Sequence, residues 1–562
     1  MHCMKKPLPI GISDFQEVIN GGYVYIDKSL LIEEIIQDGT LVAVIPRMRR
    51  FGKTLNLSML RYFFEKTAED TSYLFKNLNI WAREEYRAMQ GAFPVIFITL
   101  KDVKFATWDE TLDSLKKVIA EEFERHRYLL EGDILTPESK KNFLCILHRE
   151  CTVPMLCRSL LLLTEWLSRY HNKKTILLID EYDTPVHAAY VNNYYTECII
   201  FLQNWISGGI KDNEYLARAV ITGILSIAKG SIVSGGNNST TFTVLDDQFQ
   251  DKFGLVASEV QWLLKEYGLE SCFPDIKAWY DGYRVGSCPG IYNPWSVLQC
   301  IKAGGTIEPY WVNTSDNALM KQLIVRGTDE LKADVEELLK GNVIEKTIDE
   351  GVVFPGLENN VDAIWSLLLC SGYATLDDTP KYGIPCRIKI PNLEVQTLYT
   401  SMILDWFATS IHKQKYHFLL ESLISGNIVD FSQLFQEFLM STFSTFDITK
   451  KKPEKVYHAF VLGLLVGLQG RYEIKSNRES GLGRYDVMLI PKNLKDLGII
   501  MEFKKIGDFE TTDIETAFAS VWKQIDNKRY AQELIDRGIG RILYLAFVFK
   551  GKQVEIRHKE SY

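Results

Sequence analysis

Two apolar stretches near the C-terminus decide the fold of that region: RYDVMLI at residues 484–490 and GIIMEFKKI at residues 498–506. Each is long enough for one strand, and the Lys- and Asn-rich loop between them allows the two strands to pair as a hairpin. Asp486 lies in the first strand and Glu502 in the second, so a hairpin can bring the two carboxylates side by side. Glu502 and Lys504 are two residues apart and are therefore predicted to share one face of their strand.

These three side chains suit the hydrolysis of a phosphodiester by water. The reaction needs a hard divalent cation, which carboxylates hold and which polarises the phosphoryl oxygen and lowers the pKa of the water. Asp486 and Glu502 are therefore predicted as catalytic ligands of Mg²⁺ or Mn²⁺, and Lys504 as the residue that orients the nucleophile or offsets charge in the transition state. An acid and a lysine on a strand usually mark a solvated face, but a charged pair at the end of the apolar GIIMEF strand needs a reason.

The flanking sequence predicts an α-β-β-β-α-β order. The remaining predicted elements are a helix across Glu454–Leu468, a strand over Arg471–Ser476, a helix spanning Thr511–Arg537 and a last strand, RILYLAFVF, at residues 541–549. The second helix carries Gln524, predicted as a catalytic residue that contacts phosphate or the attacking water, together with Tyr530. His458 on the first helix is interpreted as a core histidine in preference to a site residue.

The N-terminal half predicts a phosphate-binding α/β domain. The apolar run LVAVI at residues 41–45 is followed by RMRRFGKTLNLSMLRYFFE at residues 47–65, which has helical spacing from Leu55 onward. Strand, loop, Gly-Lys-Thr and helix is the order of a P-loop, in which backbone N–H groups face the phosphates. Gly52 shapes that loop, Lys53 is predicted to reach the β- and γ-phosphates of ATP, and Thr54 to ligate magnesium.

A second strand, TILLIDEYD at residues 175–183, ends in acidic residues as such a site requires. Asp180 is predicted to hold the magnesium, and Glu181 to polarise the attacking water as a catalytic residue. A third run, ARAVITGIL at residues 217–225, places Thr222 at its end. The position suits a residue that senses the γ-phosphate, and packing or strand-end capping is an equally open interpretation.

Composition and charge set limits on these interpretations. The 562 residues carry a formal charge of −8, but residues 451–562 hold 20 Lys and Arg against 15 Asp and Glu, a net of +5, which leaves −13 for residues 1–450. A modestly basic C-terminal module suits a polyanion, although a solvated surface without a partner is equally open. Ten scattered cysteines and the lack of a long apolar run predict a cytoplasmic protein outside the membrane. The cluster of Cys145, His148, Cys151 and Cys157 is interpreted as structural in preference to a zinc site.

Several segments together resemble the bacterial AAA-ATPase-like family, whose members usually carry a PD-(D/E)XK nuclease domain. The segments are PRMRRFGKTLNLSML, LLIDEYDTPV, ITGILSIAKGSIVSGGNN, WYDGYRVG, IYNPWSVL, SNRESGLGRYDVML, IIMEFKK and KQIDNKRY. The resemblance implies an arginine-rich P-loop in which Arg47, Arg49 and Arg50 contact the phosphates, the alternative being ion pairs with the acids after TILLI.

The resemblance also bears on residues outside the P-loop. Relatives often carry an arginine in the segment where this chain has Ser226, with Lys229 nearby, which implies slower ATP hydrolysis. The remaining residues in matching motifs are Asp281, Tyr283, Tyr292 and Asn293, for which the sequence suggests no role, and Glu479 and Arg484, which are secondary nuclease candidates.

These observations predict an α/β chain in three parts. Residues 1–300 form an AAA-like P-loop domain with a parallel sheet, residues 301–430 a helical or winged-helix-like connector, and residues 431–562 a restriction-endonuclease-like domain. Helical spacing in the connector occurs at residues 318–327, 333–342, 363–372 and 397–407. The predicted function is an ATPase joined to a Mg-dependent nuclease that acts on DNA in preference to RNA. The open alternatives are a nucleotide-gated binding or signalling module with an inactive nuclease fold, in a mobile-element or phage-defence setting, and a homo-oligomer that must assemble before it cuts.

Overall fold

The computed structural model describes residues 5–225, 239–311, 323–324, 328–339, 341–349, 351, 354, 357, 360–381, 383–399, 413–443, 461, 464–468, 470–476, 479–480, 483–484, 486–506, 513–528, 531–550 and 553–561. The chain divides into two compact units. Unit 1 comprises Met1–Leu323 and Val343–Val395, and unit 2 comprises Ile324–Asn342 and Gln396–Tyr562. The three-part division drawn from the sequence stays a prediction. None of the helices in the described parts of the chain is long and apolar enough to cross a bilayer.

Unit 1 is built on a parallel sheet. Its described strands are β1 (Val42–Pro46), β2 (Val95–Thr99), β3 (Thr175–Asp180), β4 (Leu216–Gly223) and β5 (Ser239–Thr241). They lie in the order β2-β3-β4-β1-β5, and every neighbouring pair is parallel. All residues of β1 and β3 are buried, as expected for a parallel sheet covered by helices. The predicted α/β fold with a parallel sheet is confirmed, and β4 lies between β1 and β3, so the carboxyl ends of these three strands meet at one edge.

Helices surround this sheet and continue beyond it. They are α1 (Phe15–Asn20), α2 (Leu30–Asp38), α3 (Lys53–Phe64), α4 (Glu84–Arg87), α5 (Trp108–Arg125), α6 (Pro137–Leu147), α7 (Val153–Cys157), α8 (Ser159–His171), α9 (Thr184–Val191), α10 (Tyr195–Ile210), α11 (Ala257–Tyr267), α12 (Phe273–Tyr280) and α13 (Pro294–Lys302). Short 3-10 helices occur at Ser72–Leu74, Asn79–Ala82, Arg127–Leu130 and Glu270–Cys272. Local sequence explains several helix starts: Thr107 and Thr136 accept N–H bonds at the first turns of α5 and α6, and Pro137 opens α6.

A small hairpin joins the sheet region to α13. It consists of β6 (Tyr283–Val285) and β7 (Cys288–Ile291), which pair antiparallel. Tyr280 and Tyr292, on either side of the hairpin, are buried in one cluster with apolar residues of α11 and α13. The hairpin therefore fixes the start of α13 against the rest of unit 1.

The middle of the chain is only partly helical. Its described elements are α14 (Asp329–Leu339), β8 (Ile344–Lys346), α15 (Val361–Ser371), β9 (Thr375–Leu376) and β10 (Cys386–Lys389). The prediction of helices is right for α14 and α15, whereas residues 318–327 and 397–407 lie largely outside the described residues. The sequence did not predict the antiparallel sheet β8-β10-β9, because strands of two to four residues are too short to show an alternating pattern.

Unit 2 contains a mixed sheet with helices on both sides. Its strands are β11 (Tyr472–Ser476), β12 (Glu479–Ser480), β13 (Gly483–Arg484), β14 (Val487–Pro491), β15 (Gly498–Lys505), β16 (Ile542–Lys550) and β17 (Gln553–Ser561). Its further helices are α16 (Lys413–Ser425), α17 (Ile428–Phe443), the 3-10 helix Val466–Leu468, α18 (Ile514–Lys528) and α19 (Gln532–Asp536). The sheet order is β11-β14-β15-β16-β17, and the short strands β12 and β13 pair separately. Only β15 and β16, of the described pairs in this sheet, run parallel.

The alternation of side chains along β15 explains how the sheet is covered. Ile500 packs in a cluster with Phe518 and Val521 of α18. Phe503 faces the opposite side, 5.1 Å from the ring of Phe547, which in turn lies 5.4 Å from Phe435 of α17. Charged residues at even positions of β15 therefore share the side that α18 covers.

Two details differ from the predicted order of unit 2, and a third prediction stays untested. Strand β17 was missed because its alternation is carried by residues that are mostly exposed. The helix predicted over Thr511–Arg537 is two helices, α18 and α19. Most of the helix predicted over Glu454–Leu468 lies outside the described residues.

Candidate functional site

The loop between β1 and α3 has the backbone shape of an anion cradle. Gly52 has a φ of 84°, which favours glycine, and Lys53 begins α3 directly after it. A Cβ at Gly52 would meet no atom within 4 Å, so the space beside the loop is open there. The N–H groups in the first turn of a helix have no partners within the helix, and helix N-termini of this kind bind anions in other proteins.

Lys53 lies inside this loop. Its side chain is buried, and its Nζ donates to the carbonyl oxygens of Arg47 at 3.1 Å and Met48 at 3.2 Å. The same Nζ is 3.3 Å from Oε1 of Glu181. The structure thus brings the predicted phosphate-binding lysine to the predicted water-polarising carboxylate.

Asp180, the last residue of β3, is the centre of a set of hydroxyl contacts. Thr54 Oγ1 donates to its Oδ2 at 2.8 Å, Thr222 Oγ1 donates to its Oδ1 at 2.8 Å, and Thr99 Oγ1 lies 3.3 Å from Oδ2. Burial is the first cause and the charge of Glu181 the second that raise the pKa of Asp180 above its usual range. Oxygen ligands from Thr54 and Asp180 are the type that Mg²⁺ prefers.

The residues after Asp180 hold an unusual backbone. Glu181 has a φ of 53°, a left-handed conformation that costs a non-glycine residue free energy and is common at functional sites. Asp183 is buried, and its Oδ2 accepts the backbone N–H groups of Ile224 and Leu225, each at 2.9 Å. Burial, with the charge of Glu181, raises the pKa of Asp183 to about 6. Sequence reasoning missed Asp183, which ties the segment following β4 to the end of β3.

Arg47 does not form the ion pairs with the acids after β3 that were the alternative interpretation of the sequence. It is fully buried, and its guanidinium donates to the carbonyl oxygens of Pro46, Phe242 and Thr243 at 2.8, 2.6 and 3.2 Å and to that of Gln248 at 3.1 Å. Burial lowers its pKa to about 10. Arg47 therefore ties the chain around residues 242–248 to the end of β1, and all four of these acceptors are backbone carbonyl oxygens.

The other two arginines of the loop are nearer to solvent. Arg49 is half-buried. Arg50 has a φ of 67°, and its guanidinium carbon lies 4.1 Å above the ring centroid of Trp295 at the start of α13. Burial, then the charge of Arg49, lowers the pKa of Arg50, and Glu181 opposes this shift. Trp295 is a further residue that sequence reasoning missed, because no spacing pattern links residues 50 and 295.

The four motif residues without a predicted role form structural contacts. Asn293 caps α13 by accepting the N–H groups of Trp295 at 2.9 Å and Ser296 at 3.4 Å. Tyr283 contacts the ring of Phe51 at 5.1 Å. In addition, the carboxylate of Asp281 accepts the N–H of Gly282 at 2.6 Å, and burial, then the charge of Asp281, raises the pKa of Tyr292.

In unit 2 the hairpin of β14 and β15 brings the predicted metal ligands together. Val487 pairs with Met501, so Asp486 and Glu502 are next to one another across the two strands. Asp486 Oδ2 accepts the backbone N–H of Phe503 at 2.8 Å, which holds this carboxylate beside the Glu502 position. Two carboxylates in this arrangement fit a hard divalent cation.

Glu502 and Lys504 differ in environment. Glu502 is buried, with 3% of its surface exposed, and its Oε1 accepts a hydrogen bond from Nε2 of Gln524 on α18. Lys504 is exposed to solvent. The structure therefore groups Asp486, Glu502 and Gln524 and leaves Lys504 at the solvent side of the same face.

Other sequence-derived candidates receive no structural test. The side chains of Glu479 and Arg484 are outside the described set although their backbones form β12 and β13, and Ser226, Lys229, His458 and Tyr530 lie outside the described residues. Cys145, Cys151 and Cys157 are free thiols, and His148 is the C-cap residue that follows α6. Among the described residues no group of three or more His, Cys, Asp or Glu is arranged to hold a metal ion.

Comparisons with known protein families match two separate parts of the chain. A model of the family described as "Predicted AAA-ATPase" matches residues 9–233, and a model of the PD-(D/E)XK nuclease superfamily matches residues 452–559. The chain is also similar to a protein of Azotobacter chroococcum mcd 1 described as "Uncharacterized protein in vnfD 5'region", with 23% identity over 555 residues that cover 95% of each chain. Residues 9–233 are therefore similar to the predicted AAA-ATPase-like family, and residues 452–559 to the PD-(D/E)XK nuclease superfamily.

Proposed function

We propose that the chain is an ATP-binding, magnesium-dependent nuclease that cleaves DNA phosphodiesters in unit 2. The observation that carries the proposal is the hydrogen bond from the Phe503 N–H to Asp486 Oδ2 at 2.8 Å, because it holds one acid beside the buried Glu502. Two carboxylates at the end of an apolar strand are costly to desolvate, and a bound cation would offset that cost.

Asp486 and Glu502 would hold the divalent ion. When bound, the ion polarises the phosphoryl oxygen and lowers the pKa of the attacking water. Gln524 orients Glu502 through its amide and so reduces the freedom of a ligand that must face the ion. Since Lys504 is exposed on the same face, its ammonium is placed to meet the phosphate of a strand that arrives from solvent.

The ATP site of the proposal is the loop of unit 1. Lys53 would bind the β- and γ-phosphates, Thr54 and Asp180 would hold magnesium, and Glu181 would polarise the water. Lys53 is engaged by two carbonyl oxygens of the loop and by Glu181. Triphosphate binding would draw the ammonium away from Glu181 and free this carboxylate to accept a proton from water.

The test of the nuclease uses Asp486→Asn and Glu502→Gln, with Asp496→Asn in the loop after β14 as the matched control. Wild type and variants are incubated with double-stranded DNA, single-stranded DNA and RNA in Mg²⁺ or Mn²⁺. We expect the two site variants to lose at least about a hundredfold in rate, since removing a ligand costs more than removing its outer-shell partner. The control should retain the wild-type rate. Equal cleavage by all four proteins would refute the assignment of Asp486 and Glu502 as catalytic metal ligands. Cleavage of RNA alone would show that the substrate is RNA and not DNA.

The ATP arm is measured separately, by titrating a fluorescent ATP analogue into wild type and Lys53→Ala. One outcome would favour the alternative of a nucleotide-gated binding module. In that outcome the wild type binds the ATP analogue and Lys53→Ala does not, but the wild type cleaves no nucleic acid at any protein concentration. A rate that rises steeply with protein concentration would instead indicate assembly into a homo-oligomer before cleavage.

A further inference from the structure

A contact between an arginine and a tryptophan joins the phosphate loop to a distant part of unit 1. Arg50 stands two residues before Gly52, and its guanidinium carbon lies 4.1 Å above the ring centroid of Trp295. A guanidinium stacks on an indole with its flat face, and the same group can instead turn its N–H edges to an anion. An exposed arginine of the nucleotide site is thus in contact with α13 and close enough to its own loop to meet phosphate.

Trp295 is held firmly at the start of α13. Asn293 accepts the N–H of Trp295 at 2.9 Å, and Pro294 opens the helix before it. The next residue, Ser296, is fully buried, and its Oγ donates to Oε2 of Glu394 at 2.8 Å. Ser296, the neighbour of Trp295 in the chain, therefore joins the first turn of α13 to Glu394.

Glu394 joins two separate passages of the chain. It is fully buried, and its Oε1 accepts the backbone N–H of Trp311 at 2.7 Å. Val395, the next residue, is the last residue of unit 1 before the chain enters unit 2 at Gln396. Close by, Asn392 Nδ2 donates to the carbonyl oxygen of Asp281 at 2.7 Å. We call Ser296, Trp311 and Glu394 the exit cluster. Their hydrogen bonds fix the chain just before it passes from unit 1 to unit 2 at Val395.

We propose that Arg50 and Trp295 form a phosphate-sensing contact. Through this contact, phosphate binding at the ATP site weakens the hydrogen bonds of the exit cluster. The proposal rests on the proposed binding of ATP at residues 47–54. Bound phosphates draw the Arg50 guanidinium off the indole, and α13 loosens at its first turn. The hydrogen bonds of Glu394 to Ser296 and Trp311 then weaken, so unit 2 receives the state of the ATP site through the chain itself.

The relative strength of the two contacts sets this direction. A guanidinium–phosphate hydrogen bond is charge-assisted, and it is stronger than a cation–π contact at a partly exposed site. The stronger contact with phosphate therefore favours release of the Arg50 guanidinium from Trp295.

The test measures hydrogen–deuterium exchange of the full chain, without nucleotide and with saturating ADP or a slowly hydrolysed ATP analogue. The reporters are peptides that contain Trp311 and residues 391–395. Loss of a partly exposed cation–π contact predicts that nucleotide speeds exchange at the Trp311 N–H by about two- to fivefold. The variants are Trp295→Leu and Arg50→Gln, with Trp262→Leu, an exposed tryptophan of α11, as the matched control. Affinity for the fluorescent nucleotide is measured for every protein so that each is saturated.

In Trp295→Leu and Arg50→Gln we expect saturable nucleotide binding with no change in exchange at Trp311, while Trp262→Leu responds as the wild type does. A wild type that binds nucleotide without any change at Trp311 and residues 391–395, or a Trp295→Leu protein with the full response, would overturn the sensing contact alone. A wild type that binds no nucleotide would overturn the proposed ATP site as well. Since Arg50 is exposed, its variant keeps the test valid if Trp295→Leu fails to fold.

Discussion

Replacing Arg47 by Met separates a structural role of this arginine from a role in phosphate binding. The guanidinium is buried and donates to the carbonyl oxygens of Pro46, Phe242, Thr243 and Gln248 at 2.6 to 3.2 Å. Met fills a similar volume but donates no hydrogen bond, so the substitution leaves these buried oxygens without that donor. We expect the loss to appear as lower stability of unit 1.

The size of the effect follows from two opposing contributions. Nη1 has two hydrogens for three of the acceptors, so the guanidinium makes about three full hydrogen bonds with these carbonyl oxygens. At about 1.5 to 3 kcal/mol each, they stabilise the native state by roughly 4 to 9 kcal/mol. Burial lowers the pKa of Arg47 to about 10. That shift corresponds to a desolvation cost of about 3 kcal/mol, which Met recovers. We therefore expect Arg47→Met to lower the free energy of unfolding of unit 1 by about 1 to 6 kcal/mol.

Urea unfolding of the full chain, followed by tryptophan fluorescence, measures this change. The transition of unit 1 is recognised because saturating nucleotide shifts it to higher urea. Arg49→Met is the matched control, since Arg49 is only half-buried in the same loop. A variant at Arg47 with an unchanged unfolding midpoint and an ATP affinity at least tenfold weaker would contradict the structural role and show that Arg47 binds phosphate.

Three further outcomes test other contacts. Burial raises the pKa of Glu394 to about 7, so the folded state binds the proton of this carboxyl more tightly than the unfolded state does. The proton therefore stabilises the fold at low pH, and this stabilisation, up to about 3 kcal/mol, is lost as pH rises from about 4.5 through 7. Glu394→Gln should remove this pH dependence of the free energy of unfolding, measured from pH 4 to 8. Gln524→Ala removes the amide that holds Glu502 and should weaken Mn²⁺ binding by about 10- to 100-fold, measured by calorimetry, while Lys523→Ala beside it should not. Thr222→Val removes a hydrogen bond that lowers the pKa of Asp180. The pH below which Mg²⁺-dependent nucleotide binding is lost should therefore rise in this variant. If that pH does not change, Asp180 is not the residue that holds the magnesium.

The sequence was sufficient for features that depend on neighbouring residues. The apolar runs before Gly52 and Asp180 predicted buried parallel strands because such strands are covered on both faces. The spacing of Glu502 and Lys504 predicted one shared face because side chains alternate along a strand. The hairpin of β14 and β15 followed from the same reasoning, and the register of Val487 with Met501 agrees with it.

Contacts between residues far apart in the chain needed the tertiary structure. Nothing in the neighbourhood of Arg47 shows that its donors meet carbonyl oxygens about 200 residues later, and the same is true of Arg50 with Trp295 and of Glu394 with Ser296 and Trp311. A local pattern records which side of an element is buried, since burial repeats with the period of the helix or strand. Which group a buried charge meets depends on how the elements pack, and only the folded chain decides that.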